Sequence, residues 1–134
     1  MKSMTAGARP WFLATLLLIQ VLFQLALAVG APWGQAAWGG QNEGLLPLSL
    51  RIASGIAAVV WLWILLVVLG RSLGSVGRRR VLVVLAAYSA LGVVANAASP
   101  SDLERAIWTP YCVALSGAAW WKARREHAAA GKVP

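Results

Sequence analysis

The sequence has one cysteine, Cys112, and one histidine, His127, among its 134 residues. A lone cysteine excludes an intramolecular disulfide and a thiolate metal cluster. Cys112 also lies in an apolar stretch, where a thiol stays protonated and inert. With one imidazole, in a basic tail, there is no clustered His/Cys ligand set and no HExxH pattern, and a glycine-rich phosphate loop is missing too. Neither a metal nor a cofactor is therefore expected. Acidic side chains are nearly as scarce: Glu43, Asp102, Glu104 and Glu126 are the four in the chain. Two nearby carboxylates alone are a weak catalytic signal, so no catalytic residue is assigned.

Charge of either sign is thin. Only 12% of the residues are charged, against about 25% in ordinary soluble domains, while 60% are hydrophobic. A domain of this length could not hide that much apolar side chain from water, so lipid must serve as part of its solvent. The net charge of +8 does not point to nucleic acid, because the basic residues sit in short clusters between apolar blocks, as topology determinants do.

Four such blocks are present, and the chain reads as a single domain over residues 1–134. Helices are expected over about residues 11–30, 52–70, 81–98 and 102–121. The first three run about 18–20 residues, enough to cross about 30 Å of hydrocarbon at 1.5 Å per residue. The fourth reaches that length if it starts at Ser101-Asp102-Leu103-Glu104, which fits an S-x-x-E capping box. Pro110 is then expected to kink it unless neighbouring helices absorb the strain. The tail from Ala123 onward is small and basic, and is expected to fray.

The basic residues orient this all-α, integral membrane four-helix bundle. Lys2 and Arg9, then Arg71, Arg78, Arg79 and Arg80, then Lys122, Arg124, Arg125 and Lys132 fall on one side, ten of the twelve in the chain. Arg51 and Arg105 fall on the other. The positive-inside rule places both termini in the cytoplasm of a multi-pass cell-membrane protein. One rival concerns the first block. Lys2, Arg9, an apolar run and Ala26-Leu27-Ala28 also resemble a secretory signal with an A-x-A cleavage site, although the run is longer than usual and Gln20 and Gln24 interrupt it.

Gln20 and Gln24 lie four apart on one helical face inside the hydrocarbon, where a primary amide must find a partner. They are read as interhelical glue, or as a polar lining for a solute or a quinone-type headgroup. The richer cluster is on the outer side. One loop brings Trp33, Trp38, Gln41, Asn42 and Glu43 and ends at Arg51; the other brings Asn96, Ser99, Asp102, Glu104, Arg105 and Trp108. Arg51 begins a helix near the membrane interface, and a lone charge there seeks a carboxylate, with Glu104 or Glu43 as the natural partner. Trp33, Trp38, Arg51, Asn96, Glu104, Arg105 and Trp108 are therefore the candidate ligand-binding residues. The alternative is that the tryptophans form an ordinary interfacial belt and the ions staple the loops. Arg78-Arg79-Arg80 fixes orientation or binds anionic lipid headgroups. Trp11, Trp120 and Trp121 read as interface anchors. Ala86, Ala90, Ala114, Gly117 and Ala118 allow helices to approach closely, within the bundle or between protomers.

The segments A-P-W-G-x-x-x-W-G-G (Ala31 to Gly40), L-P-L-S-L-R-I-A-S (Leu46 to Ser54) and N-A-A-S-P-S-D-L-E-R-A-I-W-T-P (Asn96 to Pro110) resemble a family of small, uncharacterised bacterial four-helix integral membrane proteins. That resemblance implies a bacterial inner-membrane topology and brings no activity. Small multidrug exporters, similar in size, use a membrane glutamate in the first helix, and here that helix has only glutamines. The expected function is a non-enzymatic accessory, scaffold or lipid- or small-ligand-binding protein that uses its outward loops. Its expected partners are membrane lipids and a second copy of the chain or a larger membrane complex, with no nucleic acid. A small oligomeric transporter or channel is the alternative, though no titratable residue lies at mid-membrane to couple protons. An enzyme acting on lipid through Glu104 or Asp102 is the third reading.

Overall fold

The computed structural model of the chain describes residues 8–131. They form four long helices and no strand: α1 (Ala8–Val29), α2 (Leu48–Val68), α3 (Ser75–Ala97) and α4 (Asp102–Ala130). Lys2, Lys132 and the last residues of the tail lie outside the described residues. Three of the helices are long and apolar enough to cross a membrane, namely α1 from Trp11, α2 and α3. α4 has the length, but its polar ends lower its mean hydropathy.

The turns are written locally. α1 stops at Gly30, whose φ of +105° is open to glycine and strained for other residues. The Gly30 N–H bonds back to the Leu27 carbonyl at 3.2 Å and the Ala31 N–H to the Ala26 carbonyl at 2.8 Å, the two reversed bonds of a Schellman motif. α2 ends in the same way at Gly70. Its start is four residues earlier than the sequence suggests, directly after Pro47, because a proline in front of a helix gives up no intrahelical bond. That moves Arg51 one turn inside the helix. α3 likewise begins at Ser75 and takes Arg78, Arg79 and Arg80 into its first turns.

The tail is the clearest departure from expectation. α4 continues through Pro110 and past Trp121 as far as Ala130. Arg78 on α3 donates to both carboxylate oxygens of Glu126, each at 2.9 Å. Lys122 approaches the same carboxylate at 4.0 Å, and the Arg125 guanidinium lies 4.5 Å from the centre of the Trp121 ring. Ala123 is buried in the core. A tail that looks free in sequence is held by a two-pronged ion pair to the neighbouring helix, stronger than a single-point contact.

Packing is uneven. α3 and α4 form the tightest pair and α1 with α2 the next, while α2 and α3 touch only sparsely. Ala86 and Ala119 let the α3–α4 pair close, and Ser116 donates to the Ala86 carbonyl across it at 2.8 Å. The common core joins Leu13, Leu17 and Val21 of α1 to Trp61 and Leu65 of α2, Leu82 and Leu85 of α3, and Leu115 of α4. The outward faces are equally apolar: Leu18, Ile19, Leu22 and Leu25 of α1 are exposed, as are Ile56, Val59 and Val60 of α2. Such a continuous exposed apolar surface is far beyond the isolated patches that soluble monomers carry.

Candidate functional site

The connection between α1 and α2 does not loop away from the bundle; it lies across its end. Residues Gly34–Ala36 and Trp38–Gly40 form two short 3-10 turns, with Ala36 and Ala37 buried. Leu27, Ala37 and Leu46 make a small second core beneath them, backed by Phe23 and Leu50. Three hydrogen bonds fasten this plug to α4 and its cap. Trp108 Nε1 donates to the Ala36 carbonyl at 2.6 Å, Ser101 Oγ donates to the Gln35 carbonyl at 2.7 Å, and the Gly39 N–H donates to Glu104 Oε1 at 3.0 Å. A fourth bond runs from Trp38 Nε1 to Ser54 Oγ of α2 at 3.1 Å. Trp38 adopts a positive φ of 54°, a conformation a bulky residue takes only when its surroundings compensate.

Glu104 is the centre of this arrangement. Only 7% of it is exposed. Its second carboxylate oxygen accepts from Ser99 Oγ, and Ser99 Oγ in turn accepts from the Ser101 N–H at 3.2 Å. Half of the expected capping box forms, since the Glu104 N–H donates to Ser101 Oγ at 3.2 Å. The other half is replaced. Ser99 takes over the Ser101 N–H, and the glutamate side chain turns inward to hold the plug.

Arg51 does not meet Glu104 or Glu43. From its position within α2 its Nε donates to the Ala28 carbonyl at 3.2 Å, at the C-terminal end of α1, where the helix dipole favours a cation. Arg105 pairs with Asp102 three residues before it and donates to the Ser99 carbonyl at 2.6 Å. Both arginines thus answer carbonyl-rich helix ends. Among the described residues no cation pairs with Glu104.

Beneath the plug, between the helices, is a cavity of about 430 Å³. Trp38, Asn96, Glu104 and Trp108 line it, as do Gln20 and Gln24 from α1. Six of the nine residues singled out from the sequence therefore converge, and the glutamines belong to the same site as the outer-loop residues. Trp33, Arg51 and Arg105 do not join them. Trp33 is half exposed and stacks on Phe23 with ring centres 6.1 Å apart.

The structure adds residues that the sequence does not mark as part of a site. Phe23, Trp61, Tyr88, Ser89, Tyr111 and Cys112 also line the cavity. Phe23 meets Trp108 edge-on at 4.6 Å, and Trp108 meets Tyr111 edge-on at 5.1 Å. Tyr111 donates to the Leu16 carbonyl at 2.6 Å, tying this aromatic row to α1. Ser89 could have been noticed as a hydroxyl in the middle of an apolar run. Nothing local distinguishes Phe23 or Trp61 from any other aromatic in a greasy helix.

The polar inventory of the cavity is unbalanced. Gln20 Oε1, Gln24 Oε1 and Ser89 Oγ are buried and have no hydrogen-bond partner among the described residues. The Asn96 Nδ2 is satisfied, donating to the Gly92 carbonyl at 2.7 Å and to Cys112 Sγ at 3.5 Å. Buried polar atoms are almost always paired, and each one left alone costs about 1–3 kcal/mol. All three residues also line the cavity.

No family model matches the chain, and neither do any curated proteins or solved structures.

Proposed function

We propose that the protein is a four-pass integral membrane protein of a bacterial inner membrane, with both termini in the cytoplasm, that binds a small ligand in the cavity under its α1–α2 plug. In this reading α4 is the fourth span, its polar ends lying at the two interfaces, and the plug faces outward. The observation that carries the ligand reading is that Gln20, Gln24 and Ser89, each with a buried oxygen that has no hydrogen-bond partner among the described residues, all line one cavity. Glue between helices would leave such atoms paired with each other or with the backbone. The cavity also lies within the 300–1,000 Å³ range of small-molecule sites and shares their make-up, apolar and aromatic walls with a few polar groups.

The positive-inside distribution supports the orientation. With Cys112 replaced by alanine, cysteines introduced at Gln41 and Ser75 should be labelled from outside and inside respectively. The reverse pattern would overturn the topology. For the ligand, the full chain extracted with its native lipid and analysed by mass spectrometry should retain one small molecule per protein. The double variant Gln20→Leu/Gln24→Leu should lose it while still folding. Equal occupancy of both proteins, or none in either, would sink the binding reading.

A further inference from the structure

The cavity shares a wall with a second space. Ala57, Trp61 and Tyr88 line it and also line an open groove between α2 and α3. That groove has a volume of about 640 Å³, and its walls are Ile56, Val60, Trp63, Ile64, Val84 and their neighbours, with Arg80 at the far end. It exists because α2 and α3 are the loosely packed pair. Trp61 and Tyr88 form part of that shared wall, their ring centres 6.2 Å apart and tilted by 59°. Two aromatic side chains thus stand between the chamber and an apolar groove on the exposed face of the bundle.

The charge preference of the chamber comes from Glu104, because the primary amides of Gln20 and Gln24 can both donate and accept. Glu104 is buried, and its carboxylate is held by two neutral donors. A carboxylate has about four acceptor positions, so these two bonds leave capacity for another donor. Among the described residues no lysine, arginine or histidine lines the chamber. Its remaining wall is aromatic, with Trp38, Trp61, Trp108 and Tyr111 offering ring faces or edges. An acidic group without a cation and several aromatic rings are features that hold an ammonium group. The same acidic group disfavours an anionic headgroup.

We propose that the ligand is a cationic amphiphile, with an amine or quaternary ammonium head in the chamber beside Glu104 and a hydrocarbon tail passing between Trp61 and Tyr88 into the α2–α3 groove. This rests on the cavity being a ligand site, and it adds the charge of the ligand and its route. Entry is from the side, because the plug closes the end of the bundle with four hydrogen bonds.

The test uses the full chain in a neutral detergent and native mass spectrometry with an equimolar mixture of decyltrimethylammonium, decyl sulfate and decyl glucoside, followed by tetramethylammonium alone. The cationic decyl probe should form a one-to-one complex in at least tenfold preference to the other two. Tetramethylammonium, which lacks the tail, should bind about tenfold more weakly or worse. Glu104→Gln keeps the oxygen that accepts from Gly39 and removes the charge; it should cost about tenfold in affinity for the cation, equivalent to about 1.4 kcal/mol. If that variant does not fold, the native chain still reports: a tail-brominated decyltrimethylammonium should quench tryptophan fluorescence, and Trp61→Phe should remove the largest single share. Equal binding of the three head groups that Gln20→Leu/Gln24→Leu abolishes would overturn the cationic class and leave the cavity reading standing. Binding that this double variant does not change would overturn both. Quenching that Trp61→Phe leaves intact would overturn the lateral route.

Discussion

Glu104 accepts a hydrogen bond from the backbone N–H of Gly39 at 3.0 Å, across 65 residues of sequence. The bond joins the first turn of α4 to the second turn of the plug, and Ser99 holds the other carboxylate oxygen in place. Replacing Glu104 with leucine should leave the Gly39 N–H and the Ser99 hydroxyl without that acceptor. The expected loss is about 1–3 kcal/mol for each group that stays buried and unpaired. Hydrogen exchange should register it as faster exchange of the Gly39 and Gly40 amides, with the α3–α4 interior unchanged. Equal protection in both proteins would mean that the carboxylate does not latch the plug.

Gly40 and Gly39 give a paired comparison. A Cβ added at Gly40 would come within 2.2 Å of Ser101 Cβ, and its φ is +66°. Gly39 has a φ of +83° with nothing within 4 Å. Gly39→Ala should therefore cost only the backbone strain, about 1–2 kcal/mol, whereas Gly40→Ala should cost more and push the plug away from the α4 cap. Thermal unfolding of the two variants in the same detergent checks the order. The reverse ranking would contradict the close approach.

Arg51 and Glu104 should behave independently. Arg51 serves the end of α1 through the Ala28 carbonyl, so a double-mutant cycle between Arg51→Ala and Glu104→Ala should be additive within about 0.5 kcal/mol. Coupling of 1 kcal/mol or more would revive the ion pair that the sequence suggests.

Arg78 and Glu126 should couple. Their side chains are only 21% and 16% exposed, and the bidentate geometry is the stronger kind of ion pair. A cycle between Arg78→Gln and Glu126→Gln should give about 1 kcal/mol of interaction, reduced by high salt. Either single variant should also loosen the last turns of α4, read as faster exchange over residues 123–130. Unchanged exchange there would mean that Ala123 burial alone holds the tail.

Much of this molecule is legible in its sequence. The four apolar blocks, the glycines that end α1 and α2, and the Ser101 cap at the start of α4 all depend on local chemistry, and the structure has them where local chemistry puts them. Of the boundaries that moved, the start of α2 follows Pro47 locally, and the others go with tertiary contacts. α4 runs on to Ala130 because Arg78 reaches Glu126, and α3 starts early enough to carry that arginine. The site was half legible. Polar residues inside or beside apolar blocks, such as Gln20, Gln24, Asn96 and Glu104, stand out by composition alone.

What the sequence could not say is which side of each helix faces inward. Leu17 is fully buried and Leu18 is 46% exposed, yet they are the same residue type one position apart. In water, polarity would mark the outer face; in a helix apolar all round it does not. The inward face is chosen by how side chains and small residues fit between helices, so the cavity, its aromatic wall and the opening beside Trp61 belong to the tertiary structure alone. The charges show the same division. Composition places Arg51 and Glu104 at one end of the bundle, and only the fold gives the arginine to a helix end and the glutamate to the plug.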